Sequence, residues 1–347
     1  MNNDSNKITI TSDDIKDVCV PALGPSITNP PNIPGPKVRP GNTVSTEVSG
    51  VNILLKSWVY LGIAGLIGAF LAWALCEPSF VDGGEARWGN ILLFPLLVTA
   101  ISIAFATAES FVERSVQKAL LRGLLALLLG IVFGFVFYFV ANVIYSIGRE
   151  IIASSGGKLE PENPALWLVR AIAWMAFGVS GGIVYGIAGK SGKKCLYGML
   201  GGMLGAGIGG LCFDPISLFA SGAAPSRCIG MMIFGASTGI AIGLVESALK
   251  NRWLYVSGGP LAGKQFILYK PITQLGSRQT NDIFLFKDLS IAATHATIEL
   301  RGPHTTLLAT GATFVDGQPV TQRVLRSGDT IQIGRYTFQY QEKQAQS

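Results

Sequence analysis

Near its C-terminus the chain reads Leu275-Gly276-Ser277-Arg278-Gln279-Thr280-Asn281-Asp282-Ile283, then Ser290-Ile291-Ala292-Ala293-Thr294-His295-Ala296, then Thr313-Phe314-Val315-Asp316-Gly317. Short apolar runs with alternating polar residues surround these segments, at 253–256, 266–269, 283–286, 297–300, 330–333 and 336–340. Turn signals such as Asp316-Gly317 and Ser327-Gly328-Asp329 separate the runs. About ten short strands in this pattern are typical of an antiparallel β-sandwich, and we predict one over residues 251–347.

The same segments resemble the signature of the forkhead-associated (FHA) domain. The resemblance extends from Leu254 to Phe338 and includes the Asn281-Asp282-Ile283 motif. It implies a small β-sandwich whose loops usually bind phosphothreonine on a partner protein. It also implies structural roles in shaping the fold and its loops for Gly276, Asp282, His295 and Gly317.

Three positions depart from the family's phosphate-binding pattern. The resemblance implies an arginine where this chain has Ser277, a serine where it has Ala292, and an asparagine where it has Gly311. These changes remove the charge-assisted donors that would distinguish a phosphate from a hydroxyl, so we interpret them as lost phosphate-binding positions.

A reshaped peptide-binding site remains a hypothesis. Its candidate residues are Ser277, Arg278, Asn281, Thr294, Thr310 and Thr313. The sequence favours phosphate-independent protein binding. Specific phosphothreonine recognition through the displaced Arg278, and a spacer or self-association role, stay open.

The rest of the chain is predicted to be a membrane region. Hydrophobic residues make up 49% of the sequence and charged residues 14%, and the mean hydropathy is +0.43. The apolar residues form blocks at 57–76, 88–108, 123–145, 167–188, 195–213 and 228–247. Blocks of about 20 residues are long enough to cross a bilayer as helices. We therefore predict a six-span transmembrane bundle over residues 51–250.

An internal repeat indicates three helical hairpins. The segment from Lys56 to Cys76-Glu77-Pro78 is similar to the segment from Lys193 to Cys212-Phe213-Asp214-Pro215. Glycines spaced four residues apart recur in the last three spans, as in Gly235-x-x-x-Gly239-x-x-x-Gly243. Small residues at this spacing let helix backbones touch in lipid. The pattern favours tight packing within the bundle, and homo-oligomerisation through one glycine face is an open alternative.

Charged residues at the ends of the spans predict the orientation. Lysine and arginine are concentrated before the first span and in the loops on the same side, which places both termini in the cytoplasm. The opposite interface carries Glu77, Arg87, Arg170, Asp214 and Arg227, which are expected to pair or to reach the bilayer surface. We expect a multi-pass protein of the bacterial cytoplasmic (inner) membrane, preceded by a disordered, proline-rich cytoplasmic tail over residues 1–50.

Several functional classes find no support in the sequence. The net charge is +6, but the basic residues are scattered and form no basic stripe that would indicate a nucleic-acid partner. No pattern suggests catalytic residues, a metal site or a cofactor, and the only two histidines lie in the predicted sandwich.

The sequence therefore predicts a membrane-anchored scaffold that presents a divergent FHA domain to a protein partner. One alternative is a small transporter or channel regulated by that domain. A further hypothesis is that Thr43 and Thr46 of the tail bind the domain in cis after phosphorylation.

Overall fold

The computed structural model describes residues 53–82 and 87–343. The predicted N-terminal tail, with Thr43 and Thr46, lies outside the described residues. Six long helices are present in the described part of the chain: α1 Ser57–Cys76, α2 Trp88–Val112, α3 Val116–Ser154, α4 Pro164–Ala188, α5 Gly192–Phe219 and α6 Ala223–Leu249. Each of the six is long and apolar enough to cross a membrane. The prediction of six long apolar helices is thus confirmed.

The ends of these helices follow local sequence signals. Ser115, Asn163 and Ser191 precede α3, α4 and α5, and each side chain accepts a hydrogen bond from a backbone N–H of the first helical turn. Pro164 occupies the first position of α4, where a missing N–H costs nothing. The 39 residues of α3 give it a length of about 58 Å at 1.5 Å per residue, well beyond the apolar thickness of a bilayer.

Glycine allows several pairs of helices to touch backbone to backbone. A Cβ atom built on Gly178 of α4 would lie 2.0 Å from the carbonyl oxygen of Gly202 in α5. A Cβ on Gly65 of α1 would lie equally close, at 2.0 Å, to the carbonyl oxygen of Gly235 in α6. These crossings therefore require a residue without a side chain.

The C-terminal region is a β-sandwich. Its strands in the described residues are β1 Arg252–Gly258, β2 Gln265–Ile267, β3 Ile272–Gly276, β4 Ile283–Phe284, β5 Ala296–Arg301, β6 His304–Ala309, β7 Thr313–Val315, β8 Gln318–Pro319, β9 Gln322–Leu325, β10 Thr330–Ile333 and β11 Tyr336–Glu342. One sheet has the order β2-β1-β11-β10-β7-β8 and the other β4-β3-β5-β6-β9. The predicted sandwich is confirmed.

The sandwich is not wholly antiparallel as predicted. Strand β4 pairs with β3 in parallel, with Leu275 opposite Ile283 and Gly276 opposite Phe284. Within the predicted 283–286 run, the strand covers only Ile283–Phe284. The other pairings are antiparallel, as in β1 with β11.

Alternating side chains build the core of the sandwich. In β11 the inward residues Tyr336, Phe338 and Tyr340 are completely buried, while the residues between them are partly exposed. Leu254 of β1 and Leu275 of β3 are also completely buried. The period of two that predicted strands from sequence is therefore the pattern that fills the space between the two sheets.

Candidate peptide-binding site and its junction with the helices

Three loops at one end of the sandwich carry the candidate residues. They are the β3–β4 loop (277–282), the β4–β5 loop (285–295) and the β6–β7 loop (310–312). Backbone hydrogen bonds join the first two, since the N–H of Ser277 donates to the oxygen of Ala292 at 3.0 Å and that of Arg278 to Ala293 at 3.2 Å. The close approach needs Gly276, where a Cβ atom would lie 2.4 Å from the oxygen of Ala293.

His295 connects the second and third loops. Its side chain is 2% exposed, its Nδ1 accepts from the backbone N–H of Ala292 at 3.1 Å, and its Nε2 lies 3.1 Å from the carbonyl oxygen of Ala312. This pattern corresponds to the tautomer with the proton on Nε2. The backbone oxygen of His295 also accepts from the N–H groups of Thr310 and Gly311. The imidazole is placed to shape the loops.

The position of the His295 ring explains the residue at 311. A Cβ atom on Gly311 would lie 2.3 Å from Cε1 of the ring. An asparagine at this position, as the family pattern implies, would need the ring or the loop to move. The absence of a side chain at 311 therefore matches the present packing of the histidine.

Two of the candidate binding residues are internal. Asn281 is 2% exposed, and its Nδ2 donates to the carbonyl oxygen of Ala293 at 2.5 Å. Thr313 is 2% exposed, and its Oγ1 donates to the oxygen of Gly311 at 3.1 Å. Both side chains hold loop backbone, so they are not available to a peptide in this conformation.

The other four candidates lie at the surface. Arg278 and Thr310 are exposed, and Ser277 and Thr294 are partly exposed. Ala292 is also exposed, so a methyl group stands where the family pattern implies a hydroxyl. These four candidates present one cation, two threonine hydroxyls and one serine hydroxyl.

Two acidic residues stabilise the neighbouring backbone. The carboxylate of Asp282 accepts from the Nζ of Lys270 at 2.6 Å and from the N–H of Gln274 at 3.0 Å. The carboxylate of Asp288 accepts from the hydroxyl of Ser290 at 2.6 Å and from the N–H of Arg335 at 2.8 Å. These donors, the Ser290 hydroxyl first, hold the pKa of Asp288 below its usual value.

Gly317, the fourth predicted structural residue, lies in the turn between β7 and β8. It adopts a φ of +77° directly after Asp316 at +51°. A left-handed conformation at two successive residues is what a tight hairpin turn requires, and glycine adopts it without steric cost.

The first loop also contacts the turn between α2 and α3. The hydroxyl of Ser115 donates to the backbone oxygen of Gln279 at 3.3 Å, and the N–H of Gln117 donates to the side-chain Oε1 of Gln279 at 3.2 Å. The Nζ of Lys118 donates to the backbone oxygen of Asp282 at 2.9 Å. One edge of the candidate site is therefore attached to the helices.

A buried ionic triad reinforces this junction. The Oε1 of Glu113 lies 3.0 Å from the Nζ of Lys264 in the sandwich, and its Oε2 lies 3.1 Å from the Nζ of Lys118 in α3. Glu113 is 1% exposed, Lys264 is 2% exposed and Lys118 is 7% exposed. One carboxylate thus bridges two ammonium groups from different parts of the fold, away from water.

A second ionic cluster lies beside it. The Oε2 of Glu109 in α2 accepts from Lys194 of α5 at 2.8 Å and from Arg122 of α3 at 2.9 Å. It connects three helices at their ends nearest the sandwich. Lys118, Arg122 and Lys194 belong to the positive charge that predicts the membrane orientation, and here each also pairs with an acid of α2 or of the turn that follows it.

The predicted interface charges lie at the opposite ends of the helices. Arg170 pairs with Asp214 at 2.9 Å, and Arg227 pairs with Glu77 at 2.6 Å. Arg87 directly precedes α2 as its N-cap residue.

Known proteins identify the sandwich. The Oxoglutarate dehydrogenase inhibitor of Corynebacterium glutamicum is 35% identical over 104 residues, which cover 29% of this chain and 69% of that protein. The chain belongs to the FHA domain proteins. This confirms the resemblance seen in its loops.

Other relatives share the same region. The Glycogen accumulation regulator GarA of Mycolicibacterium smegmatis is 37% identical over 86 residues, 24% of this chain and 54% of GarA. The chain thus spans about half the length of this FHA relative. The family model of the Yop-YscD cytoplasmic domain, from an inner membrane component of the T3SS, matches residues 256–344.

Among solved structures, the FHA domain of an Arabidopsis thaliana hypothetical protein is 24% identical. The similarity covers 28% of this chain and 90% of that one, with a TM-score of 0.25.

Proposed function

We propose that this FHA protein is a membrane-anchored scaffold that holds a protein-binding domain at the cytoplasmic face of a bacterial inner membrane. The observation that carries the proposal is the buried Glu113 bridge. It attaches the sandwich to the ends of the helices, while Arg278 and Thr310 of the neighbouring loops stay exposed. A domain fixed in this way presents its loops in one orientation to a partner.

The helical region, residues 51–250, is proposed to span the bilayer six times as three hairpins, followed by the sandwich at 251–347. Six helices of suitable length and composition support this. The positive charge at the sandwich side of the helices supports a cytoplasmic location for both termini. The match to the cytoplasmic domain of an inner membrane component agrees with that orientation.

The interior of the bundle supports a scaffold over a transporter. Aromatic and aliphatic side chains such as Phe105, Trp174, Phe177 and Phe234 fill its core. In the described part of the chain, the buried ionisable side chains of the helices lie near helix ends, as Lys194 and Asp214 do. A transport pathway usually retains ionisable groups at mid-bilayer.

Binding is proposed to be independent of phosphate. Ala292 and Gly311 contribute no side-chain donor, and Ser277 contributes no charge where the family pattern has arginine. Arg278 is one exposed cation, and a single exposed charge gives little discrimination. Two relatives are named as a regulator and an inhibitor, which supports a binding role over a catalytic one.

The test is a binding titration of the full chain in lipid nanodiscs. Degenerate threonine peptides would be offered in phosphorylated and unphosphorylated forms to the wild type, to Arg278→Ala, and to Arg301→Ala. Arg301 is the matched control because it is exposed at the far end of β5.

We expect peptides to bind with affinities that differ less than about threefold between the two forms. Arg278→Ala should weaken both forms alike, and Arg301→Ala should change neither. Strong selectivity for phosphothreonine that disappears in Arg278→Ala would instead show that the displaced arginine supplies the phosphate contact.

A further inference from the structure

A cavity of about 410 Å³ lies between the helices and the sandwich, apart from the loops described above. The start of α1 and the end of α6 form one wall, and β1, β2 and the residues that follow β2 form the other. Four aromatic side chains line it: Trp58, Tyr60, Tyr255 and Tyr269. Its volume is within the range of small-molecule sites, about 300–1,000 Å³.

One oxygen of a buried carboxylate in this wall lacks a hydrogen-bond partner. Glu246 of α6 lines the cavity, is 2% exposed, and its Oε1 makes no hydrogen bond with any described residue. The buried hydroxyl of Tyr269 likewise makes no hydrogen bond of ordinary geometry within the described chain. Burial, and after it the nearby charge of Glu246, raise the pKa of Tyr269 well above its usual value. Unpartnered buried polar atoms are rare in folded proteins.

The neighbouring basic side chains form no ion pair with Glu246 in the described residues. Glu109, the other acid in the wall, is paired with Lys194 and Arg122. Lys194 is held between that carboxylate and the face of Tyr185, 4.4 Å from the ring centroid. Lys56 also lines the cavity but is exposed to solvent.

We propose that the cavity binds a small organic ammonium ion, with its charged nitrogen at Glu246 and its apolar body against the aromatic rings. Aromatic faces attract cations through the ring quadrupole, most strongly when water is excluded. A carboxylate among such rings recognises positive charge, while the rings favour carbon substituents over a hydration shell.

A metal ion fits this site less well. In the described residues no group of three or more histidine, cysteine or acidic side chains is arranged to hold one. A bare cation needs several oxygen ligands within about 2.6 Å, and a cavity of about 410 Å³ is far larger than such a shell.

The proposal is tested by calorimetric titration of the full chain in nanodiscs. The probes are tetramethylammonium, choline and 2-phenylethylammonium, with 3,3-dimethylbutan-1-ol as the neutral analogue of choline. We expect saturable binding of at least one ammonium probe, and at least about tenfold weaker binding of the neutral analogue, because it cannot satisfy the carboxylate.

Two variants and one control separate this site from unspecific binding. Glu246→Gln should weaken the ammonium probe about tenfold or more, and Tyr255→Leu should weaken it severalfold by removing an aromatic face outside the helices. Glu160→Gln, an exposed acid in the α3–α4 loop, should have no effect.

Three results would overturn the proposal. They are equal affinity for the neutral analogue, unchanged affinity in both site variants, and no binding of any ammonium probe to a wild type that melts cooperatively. The last would mean that the cavity holds water alone.

Discussion

Replacing Glu113 by glutamine tests the attachment of the sandwich to the helices. The glutamine keeps the size of the side chain but removes the one negative charge between Lys118 and Lys264. Both ammonium groups would then remain buried together, at 7% and 2% exposure, with no counter-charge between them. The two ammonium groups can regain hydration only if the sandwich separates from the α2–α3 turn and water enters.

The magnitude follows from burial. Removing one partner of a buried ion pair costs about 3–5 kcal/mol, since an uncompensated charge is left behind. The neighbouring hydrogen bonds from Ser115, Gln117 and Lys118 to the β3–β4 loop contribute about 1 kcal/mol each. The free energy lost with the Glu113 bridge is therefore comparable to that of these three hydrogen bonds together. It corresponds to a shift of about 150-fold to several thousand-fold toward the separated state.

Acylation of lysines, read out by mass spectrometry, measures this shift. In the wild type Lys264 should react far more slowly than the exposed Lys287. In Glu113→Gln we expect Lys264 to approach the rate of Lys287, together with faster amide exchange in residues 113–118 and 277–282.

The control is Glu160→Gln. Its pair with Lys158 spans 3.9 Å and both side chains are mostly exposed, so the change should cost less than about 1 kcal/mol. If Lys264 is as protected in Glu113→Gln as in the wild type, the bridge does not hold the sandwich and the reasoning from burial is refuted.

Three further predictions concern packing, pH and the loops. Gly182→Ala should destabilise the helices by about 1–3 kcal/mol, because its Cβ would lie 2.2 Å from the backbone of Gly198. Gly181→Ala should be tolerated, because no described atom of another helix would lie within 4 Å of its Cβ. Detergent melting of both variants checks this. Burial raises the pKa of Tyr340 to about 12. The stability that the neutral Tyr340 hydroxyl contributes is therefore complete below the unfolded pKa near 10 and is lost as the pH rises through 12. Tyr340→Phe should remove this loss of stability from chemical-denaturation curves measured from pH 9 to 12. His295→Ala should cost about 2–3 kcal/mol by leaving two loop backbone groups unpaired, and amide exchange at 290–295 and 310–312 should rise while the helices are unchanged.

Much of the fold was predictable because its signals are local. An apolar block of helical length, as at 57–76, favours a helix when no strand is nearby to pair with its backbone. Ser115 and Pro164 mark the residues at which α3 and α4 begin. In the sandwich, alternation at Tyr336, Phe338 and Tyr340 predicts both the strand and its inward face. The parallel pairing of β4 was not predicted, since pairing direction depends on a neighbour rather than on the strand's own pattern.

For the candidate site, residue types predicted which positions depart from the family's phosphate-binding pattern, but not which side chains are exposed. The sequence predicts Asn281 and Thr313 as binding residues, but both side chains are buried and donate hydrogen bonds to loop backbone. Their orientation depends on how closely the loops approach each other across Gly276 and around His295. That distance is a property of the folded sandwich.

The sequence by itself determined the two kinds of structure in this protein, six long apolar helices and a C-terminal FHA sandwich, because hydrophobic period and turn chemistry act within a few residues. Only the tertiary structure decided how they join. Glu113 and Lys264 are 151 residues apart, and their pairing, like the cavity at Glu246, arises when the ends of separate helices meet one face of the sandwich. Buried charges are matched by position in space, which local pattern does not encode.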